Sequence, residues 1–201
     1  MTSSTNSDAA KKVAVLVSGG GTNLQALIDS GIPIELVIAS KADVFALTRA
    51  VNAGIRTHVL EWAAYKPDRF AYSHGLLEIL RENAIDLIVA AGFMVILDDC
   101  LCRAYPNGIV NVHPSLIPAF CGEGFYGLKV HEAALARGVK LTGATVHFVN
   151  EICDGGPIIL QRAVEVRDDD TPQSLQARVM EAERVILPQA VWGLLGFNRR
   201  Y

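Results

Sequence analysis

Short, uninterrupted apolar runs alternate along this chain with longer stretches in which apolar residues return every three or four positions. The runs Val13 to Val17, Ile34 to Ala39, Leu87 to Ala91, Ile109 to Val112 and Leu141 to Val149 have the length and β-branched content of strands. Between them, residues 22–30, 43–53, 68–83 and 126–137 carry helical spacing, the last closing on Arg137-Gly138 as a helix stop. Asp168-Asp169-Asp170-Thr171-Pro172 reads as a helix start, with acids near the positive end of the dipole, Thr171 as cap and Pro172 in the first turn. The three acids also admit a metal-site reading. The helix that follows is expected to run to about residue 195 and to bend near Pro188.

Strands alternating with helices predict an α/β fold: one Rossmann-like, doubly wound, mostly parallel sheet with helices on both faces. The runs at 13–17 and 87–91 are apolar at every position, which predicts strands buried on both sides. In Thr145-Val146-His147-Phe148-Val149 polar and apolar positions alternate instead, predicting a half-buried strand with Thr145 and His147 on one face.

Length suits a single domain over residues 12–201 behind a flexible polar tail at 1–11 that lacks the apolar stretch of a secretory signal. No run approaches the length of a membrane span, so the expected address is cytoplasmic, and self-association into a homodimer is compatible with the pattern. The net charge of -3 provides no bulk attraction for nucleic acid or an anionic membrane; an anionic ligand must be held by local donors. Cys100, Cys102, Cys121 and Cys153 form no Cys-x-x-Cys pair and have no histidine at zinc-ligand spacing, so they read as reduced core or loop residues and no metal is expected.

Chemistry-bearing residues gather in three places. Ser18-Gly19-Gly20-Gly21-Thr22-Asn23 joins the first strand to a helix, where free N–H groups and close backbone approach suit a phosphate; the same glycines also fit a plain connecting turn. The dinucleotide pattern fails because position 24 is leucine, and no Gly-Lys-Ser/Thr follows, so neither a nicotinamide nor an ATP fingerprint is met. In Asn111-Val112-His113-Pro114-Ser115-Leu116-Ile117-Pro118, residues 111 and 113 point the same way along a strand into a proline-stiffened loop. An amide and an imidazole so placed suit an oxyanion and a proton, although a turn-capping Asn111 and a structural His113 fit as well. Asp154, before Gly155-Gly156-Pro157, is either a turn residue or the partner of His113; as partner it is expected to raise the imidazole pKa above its reference of about 6.5.

Five blocks, Ser-Gly-Gly-Gly-Thr-Asn at 18–23, Ala-Gly-Phe-Met at 91–94, Asn-Val-His-Pro-Ser-Leu-Ile-Pro at 111–118, Gly-Ala-Thr-Val-His-Phe-Val at 143–149 and Asp-Gly-Gly-Pro at 154–157, together resemble the folate-dependent phosphoribosylglycinamide formyltransferase family. The likeness runs from about residue 12 to 197. It implies the formyltransferase fold and transfer of the formyl group of 10-formyltetrahydrofolate to the amine of phosphoribosylglycinamide in de novo purine biosynthesis, with these two small molecules as partners and neither metal nor nicotinamide. By the same resemblance Asn111, His113 and Asp154 are the catalytic trio, with His147 and Thr145 in support. Gly21, Thr22, Asn23, Met180 and Glu183 would bind phosphoribosylglycinamide. Arg69, Met94, Val95, Ile96, Leu97, Asn111, Asn150, Glu151, Ile152, Cys153 and Asp154 would contact the folate.

Two positions depart from the family pattern: Val95 stands where many relatives carry a basic residue, and Met180 where some carry a polar one. The loop Cys121 to Gly127 is longer than in the shortest relatives. Formyltetrahydrofolate hydrolase shares the trio but usually adds an amino-terminal regulatory domain, and methionyl-tRNA formyltransferase adds a carboxy-terminal tRNA-binding domain; 201 residues are expected to leave room for neither. A nonenzymatic phosphometabolite-binding module would explain the glycine loop but not the trio.

Overall fold

A computed structural model describes residues 10–197. The expected tail over 1–11 lies, for residues 1–9, outside the described residues. A seven-stranded sheet runs in the order β3-β2-β1-β4-β5-β6-β7, from β1 (Val13–Val17), β2 (Ile34–Ala39), β3 (Arg56–Val59), β4 (Leu87–Ala90), β5 (Ile109–His113), β6 (Leu141–Phe148) and β7 (Ile158–Glu165). The first five strands are parallel, while β6 is antiparallel to β5 and β7 antiparallel to β6. The chain winds outward from β1 to β3, then returns to place β4 on the other side of β1. That reversal opens a crevice at the carboxyl ends of β1 and β4, where ligands of such sheets bind.

Among the described residues six α-helices cover the sheet: α1 (Thr22–Asp29), α2 (Phe45–Asn52), α3 (Arg69–Glu82), α4 (Asp99–Ala104), α5 (Leu128–Arg137) and α6 (Pro172–Leu194). Alternate residues of β1 feed two cores. Val13, Val15 and Val17 face α1, α2, α5 and α6, whereas Ala14 and Leu16 meet Tyr72, Leu76 and Leu80 of α3 and Leu101 of α4. β1 and β4 are buried at every position, as their unbroken apolar runs require.

The apolar pattern did not announce β3, β7 or α4. β3 is an exposed edge strand of polar composition, β7 is largely exposed on the opposite edge, and α4 is a six-residue turn too short to show a period. β6 is buried on both faces rather than half-buried. Its apolar Ala144 and Val146 enter the core beneath α6, while Thr145 is covered by the loop that leaves β5 and His147 is buried beside Asn111 and Asp154. α6 runs through Pro188 as one element. Its start has the expected cap: the Thr171 side chain accepts from the Ser174 N–H, and Ser174 Oγ accepts from the Thr171 N–H. Of the three acids, Asp170 is spent on an ion pair with Arg178 and on accepting from the Arg167 N–H at 2.8 Å and Ser174 Oγ at 2.7 Å. Those contacts leave the capping reading in place.

Candidate active site

On β5 the even positions Val110 and Val112 enter one core and Ile109 the other, so Asn111 and His113 share the face of Ile109 but lie further along, where the helical cover ends. The antiparallel register then sets His147 opposite Asn111 and Thr145 opposite His113. The loop after β6 completes the group. Asp154, at φ 54, takes a left-handed turn that aspartate tolerates, and Gly156 follows because a Cβ there would lie 1.8 Å from the Phe148 carbonyl oxygen.

Asp154 is therefore held between two imidazoles, with Oδ2 3.4 Å from His113 Nδ1 and Oδ1 3.5 Å from His147 Nε2. Oδ2 also accepts from the Gly122 N–H at 2.8 Å. His113 Nε2 lies 2.9 Å from the Phe120 carbonyl oxygen, so this nitrogen carries a proton, and the ion pair with Asp154 forms when Nδ1 carries one too. His147 Nδ1 lies 2.8 Å from the Phe148 carbonyl oxygen and must donate there. In the neutral ring Nε2 then accepts from Asn111 Nδ2 at 3.2 Å, which fixes which end of the amide faces the imidazole and leaves one Nδ2 hydrogen uncommitted.

Burial pushes the His113 imidazole below its ordinary value, and His147 adds to the effect; Asp154 and the Phe120 carbonyl oppose without overcoming it. The expectation of a raised pKa is thus corrected: removing the ring from water costs its cation more than one carboxylate returns. For Asp154 burial is again the largest influence and acts upward. The neighbouring His147 imidazole, the His113 charge and the Gly122 N–H together outweigh it and hold the carboxyl below the usual carboxylate range.

A recess of about 240 Å³ sits at the crevice between β1 and β4, lined by Gly19, Gly20, Gly21, Thr22, Asn23, Ala91, Gly92 and Met180. It adjoins the trio, because Ala90 pairs with Asn111 one strand over. Glu183 does not line it but accepts from Asn23 Nδ2 at 2.8 Å; burial pushes this carboxyl up to about 7. Asn23 Oδ1 is buried without a partner.

The remaining residues divide. Arg69 is 3.9 Å from Glu123 and close enough to Cys153 to act on its charge. Met94, Ile96 and Ile152 are exposed, and the Asn150 side chain accepts from the Ile152 N–H. Val95 is buried in the core against α3 and α4, so its side chain does not reach the surface where the departure from a basic residue would be felt. Thr145 binds the Ser115 carbonyl at 2.7 Å, the Ile117 N–H at 3.1 Å and Gln161 Nε2 at 3.0 Å, which pins the loop above the trio. Phe120 and Gly122 act through backbone groups that leave no mark in a sequence. His131, buried in α5 with Nδ1 unpartnered, is pushed down to about 4 by burial and then by His113; the helical pattern of α5 conceals it. The four cysteines are free. Among the described residues no helix is long and apolar enough to cross a membrane.

This combination of sheet, crevice and trio meets its counterpart in known proteins. Residues 11–191 match the formyl transferase family model, and the chain belongs to that family. Inside the family its likeness is to phosphoribosylglycinamide formyltransferases. It is 40% identical over 185 residues to the phosphoribosylglycinamide formyltransferase of Escherichia coli (strain K12), covering 89% of this chain and 84% of that one. It is 45% identical over 186 residues, 90% of this chain, to the trifunctional purine biosynthetic protein adenosine-3 of Bos taurus, of whose length it spans 18%. Its fold superimposes on glycinamide ribonucleotide transformylase 1 from Symbiobacterium toebii with a TM-score of 0.86 at 41% identity, covering 92% of this chain and 88% of that one.

Proposed function

We propose that this protein transfers the formyl group of 10-formyltetrahydrofolate to the amine of phosphoribosylglycinamide, yielding formylglycinamide ribonucleotide and tetrahydrofolate within de novo purine synthesis. The carrying observation is the grouping of Asn111, His113, Asp154 and His147 beside a glycine-lined crevice at the carboxyl ends of the central strands. Family membership and the formyltransferase titles of its relatives support the same reading. The free thiols fit a reducing, cytoplasmic setting.

The acceptor amine, as the free base, attacks the formyl carbon; a C–N bond forms and the carbonyl oxygen becomes an oxyanion. Asn111 offers it the Nδ2 hydrogen that His147 does not use. The Phe120 carbonyl holds the Nε2 proton of His113, and Asp154 faces Nδ1, so against the burial that disfavours the cation the carboxylate supports the protonated ring, which in that form offers the oxyanion the field of its charge. Collapse breaks the bond to the folate nitrogen, which leaves with the proton given up by the amine, relayed past Asp154. No covalent enzyme intermediate is needed. Gly21, Thr22 and Asn23 hold the substrate phosphate, with Met180 closing the crevice and Glu183 orienting Asn23. Arg69 and the segments 94–97 and 150–154 bound the folate side: an exposed cation and the apolar Met94, Ile96 and Ile152 suit a glutamate tail and a flat ring system.

The test is to incubate the protein with 10-formyltetrahydrofolate with and without phosphoribosylglycinamide. Tetrahydrofolate release only when the amine is present is the expected result. Release without it identifies a hydrolase, and no turnover in either arm identifies a binding module.

A further inference from the structure

The carbonyls of the glycine loop after β1 are held by α2 and by the first turn of α1. Gly19 O accepts from the Ala46 N–H at 3.2 Å, Gly20 O from Arg49 Nε at 2.9 Å and Gly21 O from the Gln25 N–H at 2.9 Å. In a planar trans peptide the carbonyl of one residue and the N–H of the next point in opposite directions, so anchoring three carbonyls outward turns the N–H groups of Gly20, Gly21 and Thr22 the other way, toward the crevice. Among the described residues none of these three N–H groups donates to a protein acceptor. Two of the anchors are backbone groups of neighbouring helices. The third is a side chain, itself fixed by donation from Arg49 Nη1 to Gln25 Oε1 at 3.0 Å and by stacking 4.9 Å from the Phe45 ring centroid. It acts where restraint is scarcest, since a Cβ built on Gly19 or Gly20 would touch nothing within 4 Å.

We propose that Arg49 is a positioning residue for the phosphate subsite: by holding the Gly20 carbonyl outward, it presents the Gly21 N–H to the incoming phosphate as a ready-made donor. The inference rests on the phosphate reading of the glycine loop given above. Without Arg49 the Gly20 carbonyl loses its anchor, and part of the ordering of the Gly20-Gly21 peptide must accompany substrate binding.

Steady-state kinetics with two acceptors test this. Arg49→Met keeps the packing stem and removes the donor; Arg49→Lys restores a donor. With phosphoribosylglycinamide, Arg49→Met raises KM roughly tenfold, the size expected for losing a hydrogen bond from a charged group, while kcat and the KM for the formyl donor hold and Arg49→Lys recovers part of the loss. With the dephosphorylated acceptor, glycinamide riboside, Arg49→Met and the parent have equal kcat/KM. An unchanged KM for the phosphorylated acceptor overturns the proposal, as does an equal loss on both acceptors, which is a general defect of the fold. Gly20→Val separates the two layers of the argument. If Gly20→Val raises KM and Arg49→Met does not, the role of Arg49 alone is wrong; if neither does, the phosphate reading falls with it.

Discussion

Asp154→Asn isolates the charge on which the proposed transition state depends. Asparagine has nearly the same shape and keeps a carbonyl oxygen to accept from the Gly122 N–H, so the loop anchor survives. What disappears is a negative charge 3.4 Å from His113 Nδ1. At an effective dielectric of about 20, suited to a partly buried pair, that attraction is about 5 kcal/mol. Burial already disfavours the imidazolium, and the Phe120 carbonyl alone is left to support it. At tenfold per 1.36 kcal/mol, and allowing for the ring shedding its proton instead of bearing the full cost, the chemical step should slow by roughly 1000-fold. The assay is single-turnover formyl transfer by rapid quench at saturating substrates, with phosphoribosylglycinamide affinity measured separately and expected to persist. His113→Ala should show a comparable loss, and the double variant should cost little more than the worse single one, because the pair acts as a unit. A parent-like rate within about tenfold, or losses that simply multiply, would refute the reasoning.

Further outcomes follow from the same coordinates. Gly20→Val should leave the unfolding midpoint unchanged and raise KM for phosphoribosylglycinamide. Gly21→Val should instead lose about 1–3 kcal/mol of stability in a denaturant melt, since Gly21 has φ +72 and an added Cβ lies 2.7 Å from Ala46 Cβ. For Glu183, a carboxyl raised from 4.5 to about 7 by burial gives stability that is complete below the lower value and is lost as pH rises through the upper one. Glu183→Gln should therefore match the parent near about pH 4 and exceed it by up to ~3 kcal/mol near about pH 8, read from urea melts across that range; a pH-independent difference would contradict the assignment. Gly143→Ala forces a Cβ to within 2.1 Å of the Arg162 carbonyl oxygen, so it should disrupt the β6–β7 pair and lower stability by roughly 2–4 kcal/mol.

Where local pattern and tertiary environment agree, the sequence is an adequate guide. β1 and β2 have the bounds read from their apolar runs, and α1, α2, α3 and α5 differ from the expected spans by a residue or two at the ends. β3 and β7 escaped because edge strands bury little, and hydrophobic periodicity reports burial rather than backbone pairing. The half-buried expectation for β6 failed for a related reason: polarity at 145 and 147 was equated with solvent, whereas the loop through Ser115 and Ile117 covers Thr145 and the polar groups of Asn111 and Asp154 meet His147.

Residue identities and their order along the chain were enough to single out Asn111, His113, Asp154 and the glycine loop as candidates, because strand alternation aims 111 and 113 alike and glycine permits close backbone approach. Only the folded arrangement decided that His147 stands across from Asn111 and that Asp154 bridges two imidazoles. The sign of the His113 shift was likewise beyond the sequence, because the cost of withdrawing a cation from water depends on how fully the surrounding chain encloses it. The outward hold on Gly20 belongs to the same class: Arg49 lies 29 positions away, and it reaches the loop because β1 and β2 are neighbours in the sheet. A chain position fixes what a group is, while dielectric and direction arise from residues that only folding brings near.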